Sequence, residues 1–325
     1  MMYLAGFANG TVFDLLDDAE LGWTIYTGDE FPQVLHIDGM ADKLAEGRFK
    51  GFGDFAHDLS AGGFSKSYVF IEPDWHPFTH FKGGNSQHPM DDVARGEALI
   101  KEVYEAIRNS PAWEKSLLII TYDEHGGFYD HIVPPTTVEP GDRATSPFNN
   151  KYKFNFGQLG VRVPAIIVSP YIRRGVIDHR MYDHTSVPAT IEGWFGLANL
   201  TQRDKQAARV TGLLTLKNPR TDAPQALPPP AASGVHFGFL DSTETDFEKV
   251  VVELGLEAGK PVDPALAGFV HVALLRKLST SAPSDRDSVI SEAGAVKSDV
   301  DAVRYIQKVR KSIPKNASGA QEASQ

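Results

Sequence analysis

Three short runs of apolar, largely β-branched residues constrain the fold of this chain more than any other feature. They are Tyr68-Val69-Phe70-Ile71, Leu117-Leu118-Ile119-Ile120-Thr121-Tyr122 and Val163-Pro164-Ala165-Ile166-Ile167-Val168. Each is nearly continuous rather than alternating, the pattern of strands buried on both faces of a parallel sheet. Between the first two, Val93, Ile100, Val103, Tyr104 and Ile107 recur near helical spacing, and Pro111 marks the end of that helix. Strand, helix and strand in this order predict a βαβ unit with a right-handed crossover. After the third run, His184 to Leu197 reads as a further helix, with Asp183 or Thr185 as its cap.

In open α/β sheets, ligands sit outside the carboxyl ends of the strands. Polar chemistry collects at those places here: Glu72-Pro73-Asp74 after the first run, Asp123-Glu124-His125 after the second, Ser169-Pro170-Tyr171 after the third. Seven of the eleven histidines (His76, His80, His88, His125, His131, His179 and His184) fall within the same third of the chain. Histidine is both a general acid/base near neutral pH and a common metal ligand. Two adjacent carboxylates at a strand end are costly without a cation or hydrogen-bond donors. Carboxylates with imidazole suit a hard or borderline divalent metal. Gly126-Gly127 lets the backbone turn sharply beside a ligand. The competing reading of Asp123 to Gly127 is a surface turn with solvated charges. For Asp74 the competing role is turn formation, for His88 flanking of a helix, and for His184 capping.

No cysteine is present, which excludes disulfides, zinc–thiolate sites and thiol nucleophiles. The net charge of -10 argues against a nucleic-acid partner, which calls for a basic face. It is compatible with a phosphate ester beside a bound cation. No apolar stretch reaches the length of a transmembrane helix, and the N-terminus does not read as a signal peptide. Gly126 to Gly160 reads as a long loop of the functional kind. Residues 219–232, with Pro228-Pro229-Pro230, read as a semi-rigid linker. Glu244 to Leu256, Pro264 to Leu278 and Ser298 to Ser312 look helical, and residues 316–325 read as a disordered tail.

Taken in order, Phe70 to Asp74, His88-Pro89, Thr121 to His131 with Pro134-Pro135, Val163 to Tyr171 and Tyr182-Asp183-His184-Thr185-Ser186 closely resemble the phosphoesterases that include non-specific phospholipases C and related acid phosphatases. The resemblance spans roughly Thr11 to Leu197. It implies an alkaline-phosphatase-like α/β three-layer sandwich with a mostly parallel sheet, N-terminally incomplete, followed by a helical extension. The corresponding division is 1–218 for the catalytic portion, 219–232 for the linker, 233–315 for the helices and 316–325 for the tail. It further implies metal-assisted hydrolysis of a phosphate ester or phospholipid, with a divalent metal ion as cofactor and peripheral rather than spanning membrane contact. On the matching positions, His88, Asp123, Glu124 and His125 would be catalytic, and Asp74, Asp123, Glu124 and His184 would hold metal. Such proteins are often exported, although this chain carries no signal of it.

The chain departs from that pattern in two places. The early Glu-Asn-Arg-Ser-Phe-Asp-like motif and the Ser/Thr nucleophile are not found, and Thr11, the hydroxyl near the start, belongs to a helix. The expectation is therefore a nucleophile upstream of this chain. The alternatives are an inactive remnant that binds phosphate or metal without turnover, and an unrelated metal-binding module.

Overall fold

The computed structural model describes residues 6–142, 154–237, 247–257 and 259–313. The first helix, α1 (Val12–Asp18), starts at a capping box. Thr11 Oγ1 accepts from the Asp14 amide and Asp14 accepts from the Thr11 amide. Thr11 is thus consumed in a cap. Strand β1 (Trp23–Thr27) is buried along almost its whole length. It lies between β2 (Phe49–Gly51) and β3 (Tyr68–Glu72) in a parallel sheet of order β2-β1-β3. Helices α2 (Met40–Ala45) and α3 (Phe55–Ser60) fall in the connections.

Successive side chains of β1 point to opposite faces, so the strand divides two apolar clusters. Trp23 and Ile25 face one and Tyr26 faces the other. The smaller cluster joins Tyr26, Phe55 and Leu59 to Val103 of α4 (Val93–Arg108), a helix capped by Asp92 through the Ala94 amide at 3.0 Å. Val69 and Ile71 of β3 and Leu118 of β4 (Leu118–Thr121) pack against it.

The three apolar runs do form strands, but not the predicted single parallel unit. β4 pairs antiparallel with β5 (Ala165–Val168), in register Leu118↔Val168 to Thr121↔Ala165, and belongs to a sheet separate from β3. Helix α4 therefore bridges two sheets instead of crossing over within one. Continuous apolar character reports strand burial and carries no information on strand direction, and the 43-residue stretch after β4 is long enough for either. The separation also leaves apolar surface open: Phe70 is 37 % and Ile166 55 % exposed.

Helix α5 (Ser186–Phe195) follows β5. The expected cap is absent: Thr185 stands at the N-cap position without a side-chain bond to the first turn, and Asp183 Oδ1 accepts from the Thr185 amide (2.8 Å) ahead of the helix instead. It is followed by α6 (Gln202–Gln206), which opens on a second capping box at Thr201. The proline-rich stretch is more than a spacer. Its residues 223–227 are strapped to α4: Tyr104 Oη donates to the Pro224 carbonyl (2.6 Å), Arg108 Nε to Ala223 (3.1 Å), and the Leu227 amide to Glu105 (2.7 Å).

The C-terminal helices α7 (Phe247–Leu254), α8 (Pro264–Thr280) and α10 (Asp299–Ser312) match the periodic segments. Helix α9 (Arg286–Gly294) was not anticipated, because its apolar residues form no stripe. These helices have no separate core. Leu266, Phe269, Val303 and Ile306 share one cluster with Phe13, Leu16, Trp23 and Leu35. The predicted tail at 316–325, residues 143–153 of the long loop and 244–246 of the first expected C-terminal helix lie outside the described residues. No described helix is long and apolar enough to cross a membrane.

Two imidazoles stack across the seam between α8 and the segment after β1. His36 and His271 lie 5.5 Å apart, centroid to centroid, with 19° between their planes. His271 is 5 % exposed and neither of its ring nitrogens has a hydrogen-bond partner. Burial, then the neighbouring His36, pushes His271 down to about 4, and burial also lowers His36. Both are neutral in the folded chain, whereas unfolding restores an ordinary value of about 6.5. The stability His271 permits is complete above pH ~6.5 and is lost as pH falls from there toward about 4, at up to ~1.4 kcal/mol per pH unit, and His36 adds a loss of the same sign. Urea titrations between pH 7.5 and 4.5 should show this loss, and His271→Leu should flatten it.

Candidate active site

The parallel pairing Thr27↔Glu72 delivers the next residues of β1 and β3 to one place. Gly28 leaves β1 so close to β3 that a Cβ there would lie 2.3 Å from the Asp74 amide nitrogen. Asp29 and Asp74 then meet. Asp29 is fully buried and accepts from the amides of Phe31 (2.6 Å) and Trp75 (2.8 Å). Burial, then the charge of Asp74, holds its carboxyl well above the usual carboxylate range. Burial opposes ionisation of Asp74, but the charge of His76 together with the hydrogen bonds from His76 and Asp29 outweighs it. His76 Nε2 lies 3.1 Å from Asp74 Oδ2, and Asp74 is held below the usual carboxylate value. Glu72, the last residue of β3, is buried under the same turn and accepts from the Gln33 and Val34 amides and from Trp75 Nε1.

Asp74 thus stands at a strand end as the sequence suggested, with a partner set that was not foreseen. Asp29 was missed because β1 was not read as a strand, so its carboxyl end drew no attention. Asn85 was missed too: its Oδ1 accepts from the Asp74 amide at 2.6 Å and pins the loop from Pro73 to Asp92 back onto the strand end.

His88 lies on that loop. Its ring stacks on Phe81, centroids 4.5 Å apart. The Met90 amide donates to Nδ1 at 3.3 Å, which leaves the proton of the neutral imidazole on Nε2. Burial lowers its pKa, while the charge of Glu124 acts in the opposite sense. The turn after β4 reaches the same loop by two further contacts. Tyr122 Oη donates to Gln87 Oε1. Gly126, at φ +65°, packs so tightly that a Cβ would come within 2.8 Å of Pro89 Cγ. The strand-end turn and the His88 loop are therefore one assembly.

Within the turn, the carboxylates bond to their own backbone. Asp123 Oδ1 accepts from the Glu124 amide (2.9 Å) and Glu124 Oε2 from the Gly126 amide (2.7 Å). His125 Nδ1 donates to the Phe128 carbonyl (2.9 Å). His184 sits beside Asp123, but its Nε2 donates to the Asp123 carbonyl at 2.8 Å rather than meeting the carboxylate. Among the described residues no three His, Asp or Glu side chains are placed to hold a metal ion. Asp74, Asp123, Glu124 and His184, as arranged, do not form a coordination shell. A cavity of about 430 Å³ opens next to His184, lined in part by Thr136, Val138, Tyr182, Asp183 and Arg203.

A model of the Phosphoesterase family matches residues 2–198. The chain belongs to the phosphoesterase family. It is 36% identical over 269 residues to non-specific phospholipase C5 of Arabidopsis thaliana, covering 79% of this chain and 51% of that protein. It is 38% identical over 264 residues to non-specific phospholipase C6 of the same plant, covering 77% and 49%. Phospholipase C B of Mycobacterium tuberculosis is 37% identical over 145 residues, or 41% of this chain and 28% of that protein. The chain spans about half the length of the plant relatives it matches.

Gly126 and Gly127 separate the two demands on this turn. Both have positive φ, but a Cβ on Gly127 meets nothing within 4 Å. Each Gly→Ala change should cost about 1 kcal/mol or more from the backbone alone. Gly126→Ala should cost at least about 1 kcal/mol beyond Gly127→Ala, because Pro89 must also move. Equal losses in urea unfolding would show that the turn does not lean on the His88 loop.

Proposed function

We propose that this chain carries part of a phosphoric-ester hydrolase site of the phospholipase C type. The observation that supports the reading best is the joining of the Asp123-Glu124 turn to the His88 loop at the strand ends. The family match and the phospholipase C names of the relatives point to the same bond type. In this reading the substrate's phosphoryl group lies against His88, whose Nε2 exchanges a proton with the ester or with the attacking oxygen. Asp123 and Glu124 present carboxylates at the mouth of the site, and Asp74 anchors the opposite wall through His76 and Asn85. His125 and His184 hold the turn by their bonds to Phe128 and Asp123, as positioning residues.

The reaction class calls for a divalent cation, and Asp123 and Glu124 are adjacent hard oxygen donors of the kind such an ion takes, although as arranged they form no shell with Asp74. When bound, it would neutralise charge on the equatorial phosphoryl oxygens. Binding would require the two carboxylates to leave their backbone amides. The substrate is a phosphomonoester or phosphodiester, including a phospholipid headgroup bond reached by peripheral contact with a lipid surface.

The hydroxyls of this region bear on a second reading, binding of phosphate esters without turnover. Thr121 Oγ1 donates to the Pro164 carbonyl (3.1 Å), Thr79 is buried and bonded within its own turn, and Thr11 caps α1. None of them is presented as a nucleophile. In the hydrolase reading that group comes from polypeptide outside this chain.

The two readings part in one set of measurements. Hydrolysis of p-nitrophenyl phosphate and of phosphatidylcholine vesicles is followed with Mg²⁺, Mn²⁺ or Zn²⁺ added. Phosphate binding is measured by calorimetry. The hydrolase reading expects turnover by a protein that also includes the polypeptide bearing the nucleophile, falling at least tenfold in both His88→Ala and Asp123→Asn. Phosphate binding weakened in the same variants, with no turnover in the parent, is the result of the second reading. Turnover or binding indifferent to both substitutions would remove the site from this place altogether.

A further inference from the structure

The loop from Pro73 to Asp92 holds an improbable backbone. His76 (φ 46°), His80 (53°), Phe81 (65°) and Gln87 (60°) all adopt the left-handed conformation, four of the six non-glycine residues that do so among those described. Each such residue carries a local cost and persists where its surroundings over-determine it. The loop's internal bonds at Asp74, Asn85 and Thr79 meet part of that demand.

The rest comes from far along the chain, beyond the segment matched by the family model. Phe269 of α8 is 1 % exposed and wedges between two loop residues, 5.4 Å from the ring of Phe81 and 6.1 Å from that of Trp75. Arg310 of α10 places its guanidinium 4.3 Å over the ring of Phe78, which is 2 % exposed. The same Arg310 reaches Glu30, next to Asp29, at 3.8 Å. Phe81 in turn is the surface on which His88 lies. An unbroken line of ring contacts therefore runs from Phe269 through Phe81 to His88. Asp263, immediately before α8, is among the charges that act on His88.

We propose that α8 and α10 are a positioning element of the active site: Phe269 and Arg310 clamp the strained loop and, through Phe81, set the plane of the His88 ring. Phe269 and Arg310 touch no reacting group in this assignment, and it rests on the reading of His88 as a site residue. The helices are then a working part of the phosphoesterase unit, and loosening them costs geometry at His88 before it costs the fold. The site is built of rings in contact, so small displacements at Phe269 pass to His88 with little damping.

Hydrogen exchange read by mass spectrometry on the full chain tests the clamp without relying on activity. In Arg310→Ala and Phe269→Ala, amides of residues 75–88 should exchange at least tenfold faster, while those of β1 stay within about twofold of the parent. Phe269→Leu, which keeps an apolar wedge, should recover most of the protection. Hydrolysis of p-nitrophenyl phosphate should lose kcat with KM little changed; where the parent only binds, phosphate affinity should fall. Unchanged exchange in 75–88 in both alanine variants would overturn the proposal. So would an equal rise in β1, since that marks general unfolding. If the loop loosens as expected while His88→Ala has no effect on turnover or phosphate binding, the clamp stands and the reading of His88 falls.

Discussion

The Asp74 side of the candidate site, and with it the start of the His88 loop, depends on one parallel strand pair. β1 and β3 run side by side with Thr27 opposite Glu72. That register forces the two chain exits together, and Gly28 is what lets the backbones approach. Asp29 and Asp74 are consequently placed in contact in a buried setting, where two full charges cannot both persist. The conflict is eased from both sides: burial and Asp74 push the Asp29 carboxyl up, and His76 beside Asp74 favours the charge there. Glu72, buried beneath, ties the same point to the segment leading to His36. One register thus fixes three carboxyl groups, and those fix the start of the His88 loop.

The strand pair is held in turn by what covers it. β1 is buried on both faces, so it needs an apolar layer on each. One face is covered by α3 and α4, the other by α1 and the C-terminal helices. The second cover is contributed by residues more than two hundred positions away. The helices therefore count as part of the unit that holds the site.

Much of this was legible in the sequence, for identifiable reasons. Val93 to Ile107, Pro264 to Leu278 and Ser298 to Ser312 announce helices because their apolar periodicity is strong. The runs at 68–71, 117–122 and 163–168 announce strands because they are short and continuous. The turn at Asp123 to Gly127 and the loop at His88 stand out because carboxylate, imidazole and glycine fall at strand ends. β1 stayed hidden: Trp-Thr-Ile-Tyr-Thr is neither a continuous apolar run nor a clean alternation, although all but its last residue are buried. With β1 unread, Asp29 had no strand end to mark it. Strand direction was misread at β4 and β5, because apolar character fixes burial and not polarity of pairing. The packing of the last helices onto β1 was beyond reach, since an apolar stripe does not name its partner.

The division into two sheets leaves the outer edge of β3 and the edges of the β4–β5 pair without hydrogen-bonded neighbours among the described residues, with Phe70 and Ile166 open beside them. Unpaired edges of this kind are templates for other strands, including those of a second copy. Charge is the opposing force: at -10 the molecules repel one another across solution. That repulsion reaches only about 10 Å at 0.1 M salt and about 3 Å at 1 M. Colloidal behaviour of this chain is therefore governed by ionic strength, with dilute buffer favouring dispersed molecules and concentrated salt favouring edge-to-edge association.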